Sequence, residues 1–337
     1  MLAHDIVAVG ASAGGVEALS KLVNALPADF PAALFVVVHI PAESVSVLPQ
    51  ILSRAGPLCA THAENGEDIA PGRIYVAPPD RHLLIKAGNV RVVAGPRENR
   101  HRPAIDPLFR SAARVYATRV IGVLLTGAGD DGVAGLRAIK NRGGIAIVQD
   151  PADAAYPALP RNALDFIDAD HVPSLDRMAP LLTRIAREPA PPPATPVSPR
   201  LQRETQFAEV DLDTIEDDDK PDRPSAFSCP DCGGVLWEVE DEDLLRFRCR
   251  VGHSYTASAL ADEHGDHAEK ALWAAFRNLE EQAHFARRQA ARARRAGREH
   301  MAERFLVRAE EAAANAATIR QMIVQFDPVA DTELSRQ

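Results

Sequence analysis

Five short runs rich in β-branched residues mark the first half of the chain: Asp5–Val9, Leu34–His39, Arg73–Val76, Val120–Leu125 and Ile145–Val148. Their apolar positions are successive rather than alternate, the pattern of strands buried on both faces. Between them, apolar residues recur at spacings of three and four over Gly15–Ala25, Pro107–Tyr116 and Val133–Arg142, as in amphipathic helices. This alternation predicts an α/β fold with a doubly wound, mostly parallel sheet covered on both sides. Tyr75–Val93 breaks the rhythm. Its Pro-Pro-Asp-Arg turn and its Gly88-Asn89 pair predict an antiparallel addition at an edge.

Further along, six of the twelve residues from Glu188 to Pro199 are proline, and residues 204–222 hold nine acids against one base, Lys220. A compact domain over 1–187 followed by a stiff, self-repelling linker over 188–224 is the expectation. A small domain over 225–256 then carries a predicted hairpin, Val235–Phe247. In residues 257–327, Leu272, Phe276, Leu279, Ala283, Ala286 and Ala290 form one heptad seam. Ala302, Phe305, Ala309, Ala312, Ala316, Ile319, Ile323 and Phe326 form another, across a break at Gly297. Small Ala knobs let two helices approach closely, which predicts an antiparallel helical hairpin suited to self-association.

Composition narrows the class. A chain of 337 residues, 46% hydrophobic and 25% charged, is ordinary globular material with room for about two domains. The acidic stretch holds nearly all of the net charge of −9, so the remainder is close to neutral and a general nucleic-acid surface is not expected. No stretch reaches the ~18 uncharged apolar residues of a membrane span. Asp5 interrupts what would be the core of a signal peptide, so the expected location is the cytoplasm.

The first strand runs into Gly10-Ala11-Ser12-Ala13-Gly14-Gly15. A dinucleotide fingerprint needs glycine where Ser12 stands, and no P-loop Lys-Ser/Thr follows. The same residues satisfy G-x-S-x-G, a sharp strand-to-helix turn that exposes a serine hydroxyl beside free N–H groups. Serine is a weak nucleophile without an imidazole to take its proton and an acid to orient that imidazole. His39 closes the second strong strand, and in a parallel sheet that end lies at the same edge as Ser12. Asp130 and Asp131 follow the strand Val120–Leu125 at that edge; either suits the acid's place, and either suits the N-cap of the next helix.

The segments GASAGGVEAL, VVHIPAE, IYVAPPDRHLLI, ENRHRPAIDPLFRSAA and LLTGAGDDGVAGLRAIKNRGG, in this order, resemble the catalytic domain of the CheB chemotaxis methylesterases over roughly residues 3–185. The resemblance implies Ser12 as nucleophile, His39 as general base and acid, Asp131 as the orienting carboxylate, and the N–H groups of Ala13 and Ala128 as oxyanion donors. Met is frequent in the family at the position of Ala128; alanine keeps the N–H and leaves a roomier wall. The implied reaction is hydrolysis of glutamate γ-methyl esters on chemoreceptor helices with release of methanol, and deamidation of glutamine as a second activity, with no cofactor in catalysis. Asn99, Arg100, His101 and Arg102 resemble a family loop near the cleft, as substrate contacts or as solvated surface. Met1 stands four residues before the first strand, which leaves no room for the family's receiver domain and takes phosphorylation in cis out of the expectation. A signalling adaptor without a receiver and a serine hydrolase for another ester or amide are the alternatives.

Downstream, Cys229-Pro-Asp-Cys232 and Cys249-Arg-Val-Gly-His253 place four ligands in two pairs separated by sixteen residues. This is a zinc-ribbon-like set with no open position, which predicts a structural zinc rather than a redox Cys-x-x-Cys. Cys59 is left over and is expected to be buried or inert. Eight arginines between Arg287 and Arg308 read as a solvated helix face or as a dock for an acidic partner, this chain's own 204–222 segment or a glutamate-rich receptor helix among them. DNA is not an expected partner, nor is membrane insertion.

Overall fold

The computed structural model describes residues 3–210, 214, 223–241 and 243–325. The chain divides into two compact units, 1–260 and 261–337. In the first, β1 (Ile6–Ala11), β2 (Ala33–Val38), β3 (Cys59–His62), β4 (Arg73–Val76), β7 (Val120–Leu124) and β8 (Ile145–Val148) form one sheet in the order β3-β4-β2-β1-β7-β8, with every pair parallel. The hairpin β5 (His82–Ile85) and β6 (Val90–Val93) forms a separate two-stranded sheet rather than the antiparallel addition expected at the edge of the main one.

The two faces of the central strands enter different cores. Ile6 and Ala8 pack with Leu108, Phe109, Leu136 and Leu159 beneath α3 (Ile105–Tyr116), α4 (Val133–Asn141) and α5 (Ala158–Phe166). Val7, Val9 and Ala11 pack with Leu19, Leu22, Leu52 and Leu182 beneath α1 (Gly15–Asn24), α2 (Leu48–Ala55) and α6 (Leu175–Ile185). The period-2 alternation of a strand thus feeds two apolar layers, which is why successive apolar residues suit the central strands.

The order of the sheet positions the site. The chain leaves β1 toward β2 on one side and β7 lies on its other side, so the winding reverses at β1, and ligand crevices of open α/β sheets lie outside the carboxyl ends at such a point. Gly10 lets α3 approach this end of β1: a Cβ there would lie 2.4 Å from Cγ2 of Ile105.

The segment expected to be a bare linker is a correction. Ser198 accepts from the Leu201 N–H and caps a helix, α7 (Pro199–Ala208), with proline in its first turn. Two acids of the segment, Glu204 and Glu209, are buried. Glu204 meets Arg246 at 2.6 Å, and Glu209 meets Lys86 at 2.5 Å and Arg114 at 3.1 Å. Local composition gave no sign of these partners, which come from distant elements. The rest of the acidic stretch, 211–213 and 215–222, and Phe326 of the expected heptad seam lie outside the described residues.

Beyond it, β9 (Arg223–Ser228), β10 (Val235–Asp241), β11 (Leu244–Cys249) and β12 (Ser254–Thr256) form an antiparallel sheet in the order β12-β11-β10-β9. Its small core joins Leu236, Phe247, Tyr255 and Leu260. The helix α8 (Ala257–Arg295) follows directly, and α9 (Glu299–Gln325) comes after a turn at Gly297, whose φ is 69°. In the second unit Ala290, Ala293 and Ala302 pack beside that turn with Phe305 and Leu306. Trp273, Phe285, Val307 and Val324 are exposed on these helices.

Candidate active site

Ser12, His39 and Asp131 lie just past the carboxyl ends of β1, β2 and β7, three adjacent strands. After β1, the chain turns through Gly14 at φ 72°, a left-handed conformation that glycine adopts without steric cost, and enters α1. The turn aims the Ser12 hydroxyl at His39 Nδ1, 3.0 Å away, and His39 Nε2 lies 2.8 Å from Asp131 Oδ2. With the ring proton on Nε2 donated to Asp131, Nδ1 carries the free lone pair that accepts from the serine.

Asp131 is enclosed and well supplied with donors. Oδ2 also accepts from the Ile105 N–H at 2.6 Å, and Oδ1 accepts from Asn99 Nδ2 at 3.0 Å and the Asp106 N–H at 3.3 Å. Burial alone would raise its pKa, but the hydrogen bond and charge of His39, the charge of His101 and the Ile105 N–H together hold the carboxyl below the ordinary carboxylate range. Asp106 behaves oppositely: burial, and then the charge on Asp131, push it up to about 7. Asp130, the other acid of the pair, turns away and accepts from the Thr256 hydroxyl at 2.8 Å.

His101 stacks flat on His39, with ring centroids 3.6 Å apart and planes 9° from parallel. Burial, and then the neighbouring His39, lower its pKa to about 4, so at neutral pH it is an uncharged wall against the imidazole. Asn99 is buried, and it and Arg100 adopt φ 48° and 73° in a turn closed by mutual backbone bonds between Glu98 and His101. The loop read as substrate contact or surface therefore splits: Asn99 and His101 face the Ser12–His39–Asp131 line, while Arg102 pairs with Asp80 at 2.7 Å. The one sequence signal for Asn99 is its tolerance of left-handed backbone.

The Ala13 residue lies at the amino end of α1, where backbone N–H groups are free of helical partners, and Ala128 is exposed in the loop after β7. At the antiparallel sheet, Cys229 Sγ lies 3.7 Å and Cys249 Sγ 3.5 Å from His253 Nδ1, and Cys232 Sγ lies 3.7 Å from Cys249 Sγ. All four ligand atoms fall within 4.8 Å of one another, and no other group of this kind occurs among the described residues. Cys59, expected to be buried or inert, is exposed at the start of the edge strand β3.

A serine, histidine and carboxylate aligned at the switch point of an open parallel sheet form the arrangement of an α/β serine hydrolase. Comparison with known proteins gives the family. The model of the CheB methylesterases matches residues 7–182, and the chain belongs to that family. It is 40% identical over 183 residues to a protein of Leptospira interrogans, across 54% of this chain and 95% of that one. It is 39% identical over 180 residues to the protein-glutamate methylesterase/protein-glutamine glutaminase of Photorhabdus laumondii, and spans 51% of that relative. The crystal structure of the Thermotoga maritima CheB methylesterase catalytic domain superposes with a TM-score of 0.52 at 33% identity, over 53% of this chain and 97% of that domain. The chain spans about half the length of several other relatives.

Proposed function

We propose that the protein is a protein-glutamate methylesterase, hydrolysing glutamate γ-methyl esters on chemoreceptor helices and releasing methanol, with glutamine deamidation as a second activity. The observation that carries this is the continuous line Ser12–His39–Asp131, with links of 3.0 and 2.8 Å, at the sheet's switch point. Ser12 Oγ attacks the ester carbonyl as its proton passes to His39 Nδ1. Asp131, kept ionised by its four donors, stabilises the imidazolium through Nε2–H. The tetrahedral oxyanion rests on the N–H groups of Ala13, at the amino end of α1, and of Ala128. His39 Nδ1–H then protonates the departing methanol oxygen, and a water repeats the sequence on the acyl-enzyme. The reading places the protein in the cytoplasm, where receptor signalling domains lie. A serine-directed fluorophosphonate tests the assignment: labelling should fall on Ser12 far faster than on the half-buried Ser44, and equal rates would contradict it.

The Cys229, Cys232, Cys249 and His253 set reads as a structural zinc site of a ribbon-like domain. Tetrahedral coordination with Zn–S of about 2.3 Å and Zn–N of about 2.0–2.1 Å puts sulfurs about 3.8 Å apart and sulfur and nitrogen about 3.6 Å apart. The separations of 3.7, 3.7 and 3.5 Å fit that frame. Three thiolates and one imidazole leave no position for a substrate, so the metal would hold the loops and take no part in the ester chemistry. Metal analysis should find about one zinc per chain, and a value near zero would contradict the site. The helices α8 and α9 read as a hairpin for self-association, with the exposed Trp273 and Phe285 as candidate contacts.

A further inference from the structure

We propose that the ribbon is a clamp on the catalytic centre: its last strand fixes Asn99 as a positioning residue for Asp131, so that order at the Cys229–His253 knuckle sets the turnover of Ser12. This rests on the catalytic reading of Ser12, His39 and Asp131 given above.

Asn99 sits between the two modules and uses both ends of its amide. Its Nδ2 donates to Asp131 Oδ1 at 3.0 Å and to Asp106 Oδ2 at 3.1 Å, and its Oδ1 accepts from the Thr256 N–H at 2.9 Å. Its own backbone N–H donates to the Ser254 carbonyl at 2.8 Å, and the Ser254 N–H donates to the Arg97 carbonyl at 3.3 Å. The strand β12 therefore pairs with residues 97–99 as an added parallel bridge. A residue with both amide ends and its backbone so engaged has one orientation available, and that orientation delivers a donor to Asp131.

The turn needs outside support. Asn99 and Arg100 both occupy left-handed backbone, which is uncommon for residues other than glycine and costly for Arg100 in particular. Without β12 the turn would lose two hydrogen bonds to Asn99, one of them the bond that fixes which way its amide faces. Thr256 acts at a second point: its hydroxyl donates to Asp130, the residue before Asp131, at 2.8 Å. One strand thus holds both flanks of the orienting carboxylate.

The knuckle leads into that strand with no slack. The Cys249 N–H donates to the His253 carbonyl at 3.0 Å, the Gly252 N–H donates to the Cys249 carbonyl at 3.0 Å, and Ser254 is the next residue. A metal that draws Cys249 and His253 together fixes where Ser254 and Thr256 begin. Loss of the metal, or oxidation of the thiols by a disulfide or peroxide oxidant with release of the metal, would loosen β12 and, through Asn99, Asp131.

The test uses the full chain and follows methanol release from methyl-glutamyl protein substrate. It compares wild type, Ser12→Ala, Asn99→Ala, Cys232→Ser, Thr256→Val and the two double variants that contain Asn99→Ala. Zinc content and the downfield proton resonance of the His39–Asp131 hydrogen bond are read on the same samples. Asn99→Ala should lower kcat about ten- to hundredfold, the range for a hydrogen bond to a charged group. KM should change by less than about twofold, because Asn99 acts through Asp131. Cys232→Ser and Thr256→Val should each lower kcat and broaden the downfield resonance. Cys232→Ser should lose much of its effect in the Asn99→Ala background, since the loosened strand acts through that residue, whereas Thr256→Val should lower kcat in both backgrounds, because it removes the hydroxyl on Asp130 and keeps the N–H on Asn99. Thr256→Val is nearly isosteric and replaces no ligand, so it carries the decision if Cys232→Ser disturbs folding. Unchanged kcat in both Cys232→Ser and Thr256→Val, or a Cys232→Ser effect that simply multiplies with Asn99→Ala, would overturn the clamp while the zinc and triad readings stood. No bound zinc with a non-additive Cys232→Ser effect would remove the zinc reading and support the clamp. Methanol release that survives Ser12→Ala would overturn the catalytic reading and the clamp with it.

Discussion

Glu204 makes the sharpest stability prediction. Its carboxylate is 5% exposed and faces Arg246 at 2.6 Å, Arg110 at 3.5 Å, and Arg248 and Arg200 at 3.6 Å. Arg110, Arg246 and Arg248 are themselves buried. Each also has buried nitrogens without a hydrogen-bond partner among the described residues, so the cluster is already short of acceptors. Glu204→Gln keeps the shape and removes the charge. Breaking one side of a buried ion pair costs about 3–5 kcal/mol, and the three guanidinium groups left facing one another put this substitution in that range. The pH dependence has a definite sign. Burial alone would raise the pKa of Glu204, but Arg246, Arg248, Arg110 and Arg200 hold it well below the usual range. A carboxyl whose folded pKa is depressed contributes stability that is complete above the unfolded value of about 4.3 and is lost as pH falls below it. Urea unfolding should therefore show the full deficit of Glu204→Gln at pH 7 and a smaller one at pH 3.5. A deficit under about 1 kcal/mol at pH 7, or one that does not shrink on acidification, would refute the reasoning.

Three further outcomes follow from the site. Gly10→Ala should destabilise by about 1–3 kcal/mol by overpacking against Ile105 and should slow turnover, because the Ile105 N–H donates to Asp131; thermal melting and ester hydrolysis check both. His101, with a folded pKa of about 4 against about 6.5 when unfolded, binds its proton less readily in the folded state. Stability should fall by up to about 3 kcal/mol as pH drops from about 6.5 to 4, and His101→Phe should remove that part of the slope in urea titrations at the two pH values. Arg100→Gly should stabilise the chain by up to about 1 kcal/mol, since glycine occupies φ 73° without the side-chain penalty; a lower melting temperature would contradict this.

The central sheet was legible because buried strands write a local signature: Leu34–His39 and Val120–Leu125 are β-branched on both faces, and a helix period follows Val120–Leu125. Periodicity also placed Ser12, His39 and the Asp130-Asp131 pair at strand ends. It could not choose between the two acids, which are adjacent in sequence and point to different partners, His39 and Thr256, across the fold. What stayed hidden depends on contacts between distant elements. Glu204 reads as part of a solvated acidic run because the buried arginines that face it lie more than forty residues away on β11 and almost a hundred away on α3. Asn99 reads as loop because its two carboxylates and its strand partner are separated from it by up to 157 residues. The helix α6 is hard to read for a local reason, since it carries Pro180 in its interior.

The most direct test of the account is methanol release from methylated chemoreceptor cytoplasmic fragments by the full chain and by its Ser12→Ala, His39→Ala and Asp131→Asn variants. The account predicts turnover by the wild type, none detectable for Ser12→Ala and His39→Ala, and a loss of up to about 10⁴-fold for Asp131→Asn. Equal release by the wild type and Ser12→Ala would contradict it.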